Sequence, residues 1–255
     1  MKSVKSILFL LLLIVFLTTS CASRKELLYM QNTPNSKELA SYEPVLQPDD
    51  VVMIIVSSEN PEVAAPYNLK GITIQGDNEN TTGMQRMQTY ILDKEGKIEF
   101  PLLGSITLGG LTKTQSVAKL KELLKDHVSD AVINFRILNF KVTVLGEVQK
   151  PGTYSVSSER ITLLEALGMS GDLTIYGNRT NVLLIREKNG TKTMERIDLT
   201  KSDFLNSSAY YLSQNDVIYV EPNKTRINSS SIGPNLTVGI SALSLIVTII
   251  ALTVK

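Results

Sequence analysis

"VTVLGEVQKPGTYSV", residues 142–156, decides how the second half of the chain folds. Its opening, with the two residues before it ("FKVTVLGEV"), is β-branched and apolar enough to read as a strand. Pro151-Gly152 then turns the chain. "ITLLEALGMSG" (161–171) reads as a short helix ended by Gly168 or Gly171. "NVLLIRE" and "TKTMERIDL" flank Asn189-Gly190, a strong two-residue hairpin signal. "DVIYVEP" (216–222) supplies a last strand. Strands, a turn, a helix and a hairpin within residues 139–222 predict one small mixed domain.

Upstream, residues 45–138 predict a second mixed domain. "VVMIIVSS" (51–58) is an apolar, β-branched run and reads as a buried strand. Residues 59–87, rich in Asn, Gly, Thr and Gln, read as a long loop or a ragged hairpin. In "TYILDKEGKIEFPLLGSITLGGLT" (89–112), "TYILD" and "KIEF" are strand candidates around Lys94-Glu95-Gly96. Gly96 supplies the positive φ of a tight hairpin, and Pro101 and Gly104 punctuate a bend. A helix follows from about 114 to 128, capped by Thr112 or Thr114, with Val117, Leu120, Leu124 and Val128 on one face. His127, the only histidine, lies beside that face and reads as a solvated or helix-capping residue rather than a ligand. "AVINFRI" (131–137) is a further strand, joined to the second domain through Leu138-Asn139.

Two stretches echo each other. "LQPDDVVMIIV" starts at Leu46 and "LSQNDVIYVEP" at Leu212. Both read as turn-to-strand entries, which suggests a related structural ending in the two domains.

The termini read as membrane-directed. Lys2 and Lys5 precede eleven unbroken apolar residues (7–17), about 17 Å as a helix against roughly 30 Å of bilayer core. That fits a secretory signal peptide over 1–20. "LTTSC" ends at Cys21, the only cysteine in the chain, and resembles the signal of bacterial lipoproteins, with Thr18 where leucine is usual. The alternatives are a lipidated first residue of the mature chain and an ordinary signal peptide with a free thiol; the absence of a disulfide partner favours lipidation. Residues 21–44 then form a polar tether in which "LLYM" offers one docking strand. At the other end, 223–235 is a polar linker, and 236–254 is nineteen residues without a charge, roughly 28 Å as a helix, the length of a transmembrane span. At 100° per residue Thr237, Ser241, Ser244 and Thr248 fall within about 40° of one line. Such a hydroxyl stripe suits close helix packing or an aqueous lumen.

Composition narrows the function classes. The chain has 255 residues, 26 Lys+Arg and 25 Asp+Glu. Residues 1–20 hold two of the basic residues and none of the acidic ones, so the remainder carries 24 − 25 = −1. No basic field for nucleic acid is present. One cysteine permits neither an intrachain disulfide nor a thiolate zinc site. No nucleophile motif, metal cluster or phosphate-binding glycine loop appears, so neither a cofactor nor catalysis is expected. Asp93 with Glu95, or Glu95 with Glu99, imitates a glycosidase pair but sits at a charged turn.

Taken together, the residues resemble the polysaccharide biosynthesis/export lipoproteins of the outer membrane. The first domain carries the likeness in "LQPDDVVMIIV" and in the segment around Gly96, Pro101 and Gly104. The second carries it in Gly146-Glu147-Val148, Pro151-Gly152 and Gly171, and resembles a soluble-ligand-binding β-grasp domain. The resemblance implies an α+β fold of two small domains (45–138 and 139–222) with a C-terminal transmembrane helix. It further implies a homo-oligomeric ring enclosing a periplasmic cavity. One helix per subunit would contribute to a barrel through the outer membrane, with Thr237, Ser241, Ser244 and Thr248 facing the lumen. The substrate would be a capsular or exopolysaccharide, and the partners membrane lipid and an inner-membrane polysaccharide copolymerase. The rival reading is a doubly tethered periplasmic glycan-binding or scaffold lipoprotein without a pore.

Overall fold

The computed structural model describes residues 24–32, 42–75, 82–188, 190–231 and 234–253. Cys21 and the signal region lie outside the described residues. Two apolar cores, one per predicted domain, confirm a mixed α+β architecture.

In the first domain, β1 (Val51–Ser57) is the centre of a three-stranded antiparallel sheet, between β4 (Thr89–Ile91) and β7 (Val132–Ile137). Its side chains alternate: Val52, Ile54 and Val56 point into the core while the residues between are half-exposed. Helix α2 (Lys113–Leu124) closes that core with Leu120 and Leu124, and Val128 follows just beyond the helix. The helix begins one residue earlier than the periodicity indicates. Thr112 Oγ1 accepts from Gln115 N while the Gln115 side chain accepts from Thr112 N, a reciprocal cap.

The stretch 59–87 contains more order than its composition suggests. A single turn of helix, α1 (Pro61–Ala64), is capped by Asn60, and a hairpin of β2 (Lys70–Gln75) and β3 (Thr82–Met87) follows. The expected "TYILD"–"KIEF" hairpin is corrected. Strand β4 pairs with β1, whereas β5 (Lys97–Phe100) pairs with β6 (Gly104–Thr107) across Pro101. Asp93 closes a tight turn by accepting from Glu95 N at 2.9 Å and Lys97 N at 2.7 Å. The strands then diverge to different partners. These contacts make Asp93 a turn cap.

The second domain is a five-stranded sheet of order β11-β10-β12-β8-β9. Its strands are β8 (Lys141–Gly146), β9 (Gly152–Ser155), β10 (Gly177–Lys188), β11 (Thr191–Ile197) and β12 (Val217–Pro222). Only β8 and β12 run parallel. Helix α3 (Leu163–Met169), with a Thr162/Glu165 capping box, buries Leu163, Ala166 and Leu167 in the core. Strands β10 and β11 pair antiparallel as expected, with Lys188 opposite Thr191 and Gly190 at φ +74°; Asn189 lies outside the described residues.

The expected linker is helical over α4 (Lys224–Ser231). The segment expected to span a membrane forms α5 (Pro234–Thr253), a helix of 20 residues; no helix among the described residues is long and apolar enough to cross a membrane. Among its described side chains, exposed Val238, Ile240, Leu245, Ile246 and Ile249 are interleaved with Gly239, Ser241, Ser244 and Thr248.

Candidate functional site

The two echoed segments form the same turn, and they meet at the domain junction. In each, the residue before the strand-leading acid takes a positive φ, 69° at Asp49 and 63° at Asn215. Asp50 Oδ2 accepts from Gln47 N at 2.9 Å, and Asp216 Oδ2 accepts from Ser213 N at 2.7 Å. Side-chain amides then tie the domains together. Asn139 accepts from Val51 N and donates to Asp49 O, both at 2.9 Å. Gln214 accepts from Lys141 N at 2.9 Å and donates to Asn139 O at 2.8 Å. The turn Asp216 is fully buried and paired with Arg186, whose Nε and Nη2 approach its carboxylate at 3.0 and 2.6 Å. Burial raises the Asp216 pKa and Arg186 opposes that rise. Asp50 is only 1 % exposed and has no cation; its Oδ1 lacks a hydrogen-bond partner among the described residues, and burial raises its pKa to about 6.

Beside this junction lies a cleft of about 570 Å³ between the domains. Its lining includes Phe135–Ile137 of the edge strand β7, Ser157–Arg160 after β9 and residues 42–44. Tyr42 stacks on Tyr211 with centroids 4.9 Å apart, and its hydroxyl meets Ser213 Oγ at 3.0 Å. Glu43 accepts from Thr114 Oγ1 at 2.8 Å, which holds its carboxyl below the usual range. Lys113 at the start of α2 forms an ion pair with Glu159 across the domain boundary.

The chain enters and leaves the second domain at one place. The expected docking segment is not a strand, yet it docks: Met30 N donates to Leu199 O at 3.0 Å and Gln31 N to Thr200 O at 2.8 Å. The Tyr29 hydroxyl bonds to Asp172, and the Arg179 guanidinium lies 5.5 Å over the Tyr29 ring. From the other end, Asn223 N donates to Tyr176 O at 2.7 Å. Arg226 of α4 covers the Tyr176 ring at 5.3 Å and reaches Glu147 at 3.4 Å. Tyr29 and the start of α4 are therefore both fastened to the stretch 172–179, which leads from α3 into β10.

The stripe residues Ser241, Ser244 and Thr248 share one side of α5 and are exposed. Ser244 Oγ donates to Ser241 O and Thr248 Oγ1 to Ser244 O, both at 2.8 Å. Such back-bonding satisfies a hydroxyl without water. The side chain of Thr237 lies outside the described residues.

The predicted fold-motif residues hold distinct posts. Gly146 has φ +89°, and a Cβ there would lie 2.0 Å from Val220 O on the parallel neighbour β12. Gly96 packs against Gly109, which sequence reading overlooked; a Cβ on either would lie 2.7 Å from the other's Cα. Gly171 ends the turn after α3 at φ +77°, and Gly104 leads β6 at φ +69° with open space around it. Pro101 opens the β5–β6 turn, and Pro151 precedes Gly152 at the start of β9.

Comparisons with known proteins agree with this layout. Residues 38–138 match the family described as Polysaccharide biosynthesis/export protein, and 140–220 match the SLBB domain. The chain is 24% identical over 177 residues to the EPS I polysaccharide export outer membrane protein EpsA of Ralstonia solanacearum, covering 68% of this chain and 46% of that protein. It is 28% identical over 139 residues to the protein of the same name from Ralstonia nicotianae, covering 53% of this chain and 36% of that protein. The match spans less than half the length of these curated relatives. The chain thus carries, in this order, a domain of the polysaccharide biosynthesis/export family over residues 38–138 and an SLBB domain over residues 140–220.

Proposed function

We propose that this protein is one subunit of a passive conduit that carries a capsular or exopolysaccharide through the periplasm and across the outer membrane. The observation that carries the reading is the common fastening of Tyr29 and of the start of α4 on residues 172–179. A lipid on Cys21 would sit seven residues before Leu28, within about 25 Å of extended chain. Helix α5 starts at Pro234, shortly after α4 ends at Ser231. A lipid anchor and an apolar helix leaving one end of the second domain would hold that end against the membrane and direct the first domain into the periplasm. There it could meet an inner-membrane polysaccharide copolymerase.

In this reading copies close head to tail into a ring. Their α5 helices gather at the membrane, with Thr237, Ser241, Ser244 and Thr248 toward the lumen and Val238, Ile240, Leu245, Ile246 and Ile249 outward. The outer-membrane relatives support the location and the polymer. Transport of this kind asks for no bond-making group, only a polar path.

The second reading, a doubly tethered scaffold without a pore, draws on the intrahelical bonds of Ser244 and Thr248, which allow those residues to pack in apolar surroundings. Polymer release from cells carrying Ser244→Leu with Thr248→Leu separates the two. A conduit loses export at normal protein levels, whereas a scaffold exports as before.

A further inference from the structure

We propose that the interdomain cleft binds anionic, carboxylate-bearing sugar units of the transported polymer. The inference rests on the polysaccharide-conduit reading and names the class of glycan for which the cleft is built. Five charged side chains line it: Glu43, Lys113, Arg136, Glu159 and Arg160. Lys113 and Glu159 neutralise each other across the boundary, and Glu43 is held by the hydroxyl and amide of Thr114. The two guanidiniums remain. Neither Arg136 nor Arg160 has a carboxylate partner among the described residues. Arg136 lies on the edge strand of the first sheet, and Arg160 in the segment after β9, where its guanidinium lies 5.3 Å over the Tyr211 ring. That ring is itself fixed by its stack on Tyr42.

The chemistry of the lining selects the ligand. A guanidinium presents a planar fork that matches a carboxylate, and such paired bonds are stronger than neutral ones. Besides the arginines the cleft is lined by Ser157, Ser158 and the half-buried Tyr42, Pro44 and Ile137. This mixture of hydroxyl and apolar surface suits the hydroxyl edges and C–H faces of pyranose rings. A volume of about 570 Å³ lies in the range of small-molecule sites. A neutral sugar would leave both guanidiniums unmatched, and a bare carboxylate would leave the apolar walls uncovered. Because each domain supplies one arginine, occupancy would also clamp the domains in one relative position.

The test uses full-length protein in mild detergent, titrated calorimetrically with an oligogalacturonate, its methyl ester and oligoglutamate. The expected result is binding of the oligogalacturonate that weakens at least tenfold on esterification and roughly tenfold in each of Arg136→Gln and Arg160→Gln. Oligoglutamate should bind far more weakly. Equal affinity for acid and ester, equal affinity for oligoglutamate, no binding, or indifference to both substitutions would each overturn the proposal. Melting curves of the variants verify folding, which substitution of these surface residues should leave within about 0.5 kcal/mol. Ring formation and polymer release, measured on the same variants, keep the conduit reading separate. Rings and export without acid-selective binding refute the cleft alone, while binding without rings refutes the conduit alone.

Discussion

Asp50 and Asp216 occupy the same turn at the start of a strand in the two domains, yet only Asp216 faces a cation. Its carboxylate receives Arg186 Nε at 3.0 Å, while Asp50 Oδ1 is buried with no partner among the described residues. One turn has thus been built twice, with opposite electrostatic outcomes.

Asp50 should make the protein less stable as the medium becomes neutral. Its pKa is raised from 3.8 to about 6 by burial. Between those values the folded chain holds a proton that the unfolded chain has released, so stability falls as pH rises from about 4 to 6 and stays lower above that. Asp50→Asn should remove this component and stabilise the first domain at pH 7.5 by up to about 3 kcal/mol. Melting temperature against pH for the two proteins is the check; parallel curves across this window would contradict it.

Arg186 should matter in the opposite sense. Arg186→Met leaves a fully buried Asp216 carboxylate uncompensated, which costs about 3–5 kcal/mol. Adding Asp216→Asn to that variant should recover a large part of the loss. Denaturant unfolding of the two single variants and the double variant measures the coupling.

Two glycines with similar backbones should respond differently to alanine. Gly104→Ala meets open space and costs about 1–2 kcal/mol for its left-handed conformation. Gly146→Ala would place a methyl 2.0 Å from Val220 O and must separate β8 from β12. Its loss should exceed 4 kcal/mol or abolish folding. Expression level and chemical melting of both variants distinguish the two cases.

Tyr29 should pin the tether. Burial and the Asp172 carboxylate raise its phenol pKa, and Arg179 covers its ring. Tyr29→Ala should release residues 27–31 while the second-domain core stays intact. Hydrogen exchange at the Met30 and Gln31 amides should quicken by tenfold or more while the β12 amides do not change.

Local chemistry was readable where one segment specifies itself. Asn189-Gly190 announces the β10–β11 hairpin, and Leu120 with Leu124 announces the inner face of α2. Long-range pairing was not readable. Nothing in "TYILD" says that it lies along β1 rather than along "KIEF", because that choice depends on contacts made some forty residues away. The same holds for the parallel pairing of β8 with β12, for Gly109 against Gly96, and for the cleft, whose walls come from 135–137 and 157–160. The echo of Leu46 and Leu212 was visible as a pattern. That one of the two acids would lack a cation depends on Arg186, which no spacing rule ties to Asp216. The terminal segment reads as a helix in the sequence and forms one, α5.

The most direct measurement for the conduit is single-particle electron microscopy of the full-length protein extracted in mild detergent. Closed rings, with the second domains and α5 helices gathered at a detergent-covered end and the first domains at the other, are the predicted result. Monomers or dimers that persist at high concentration would contradict it.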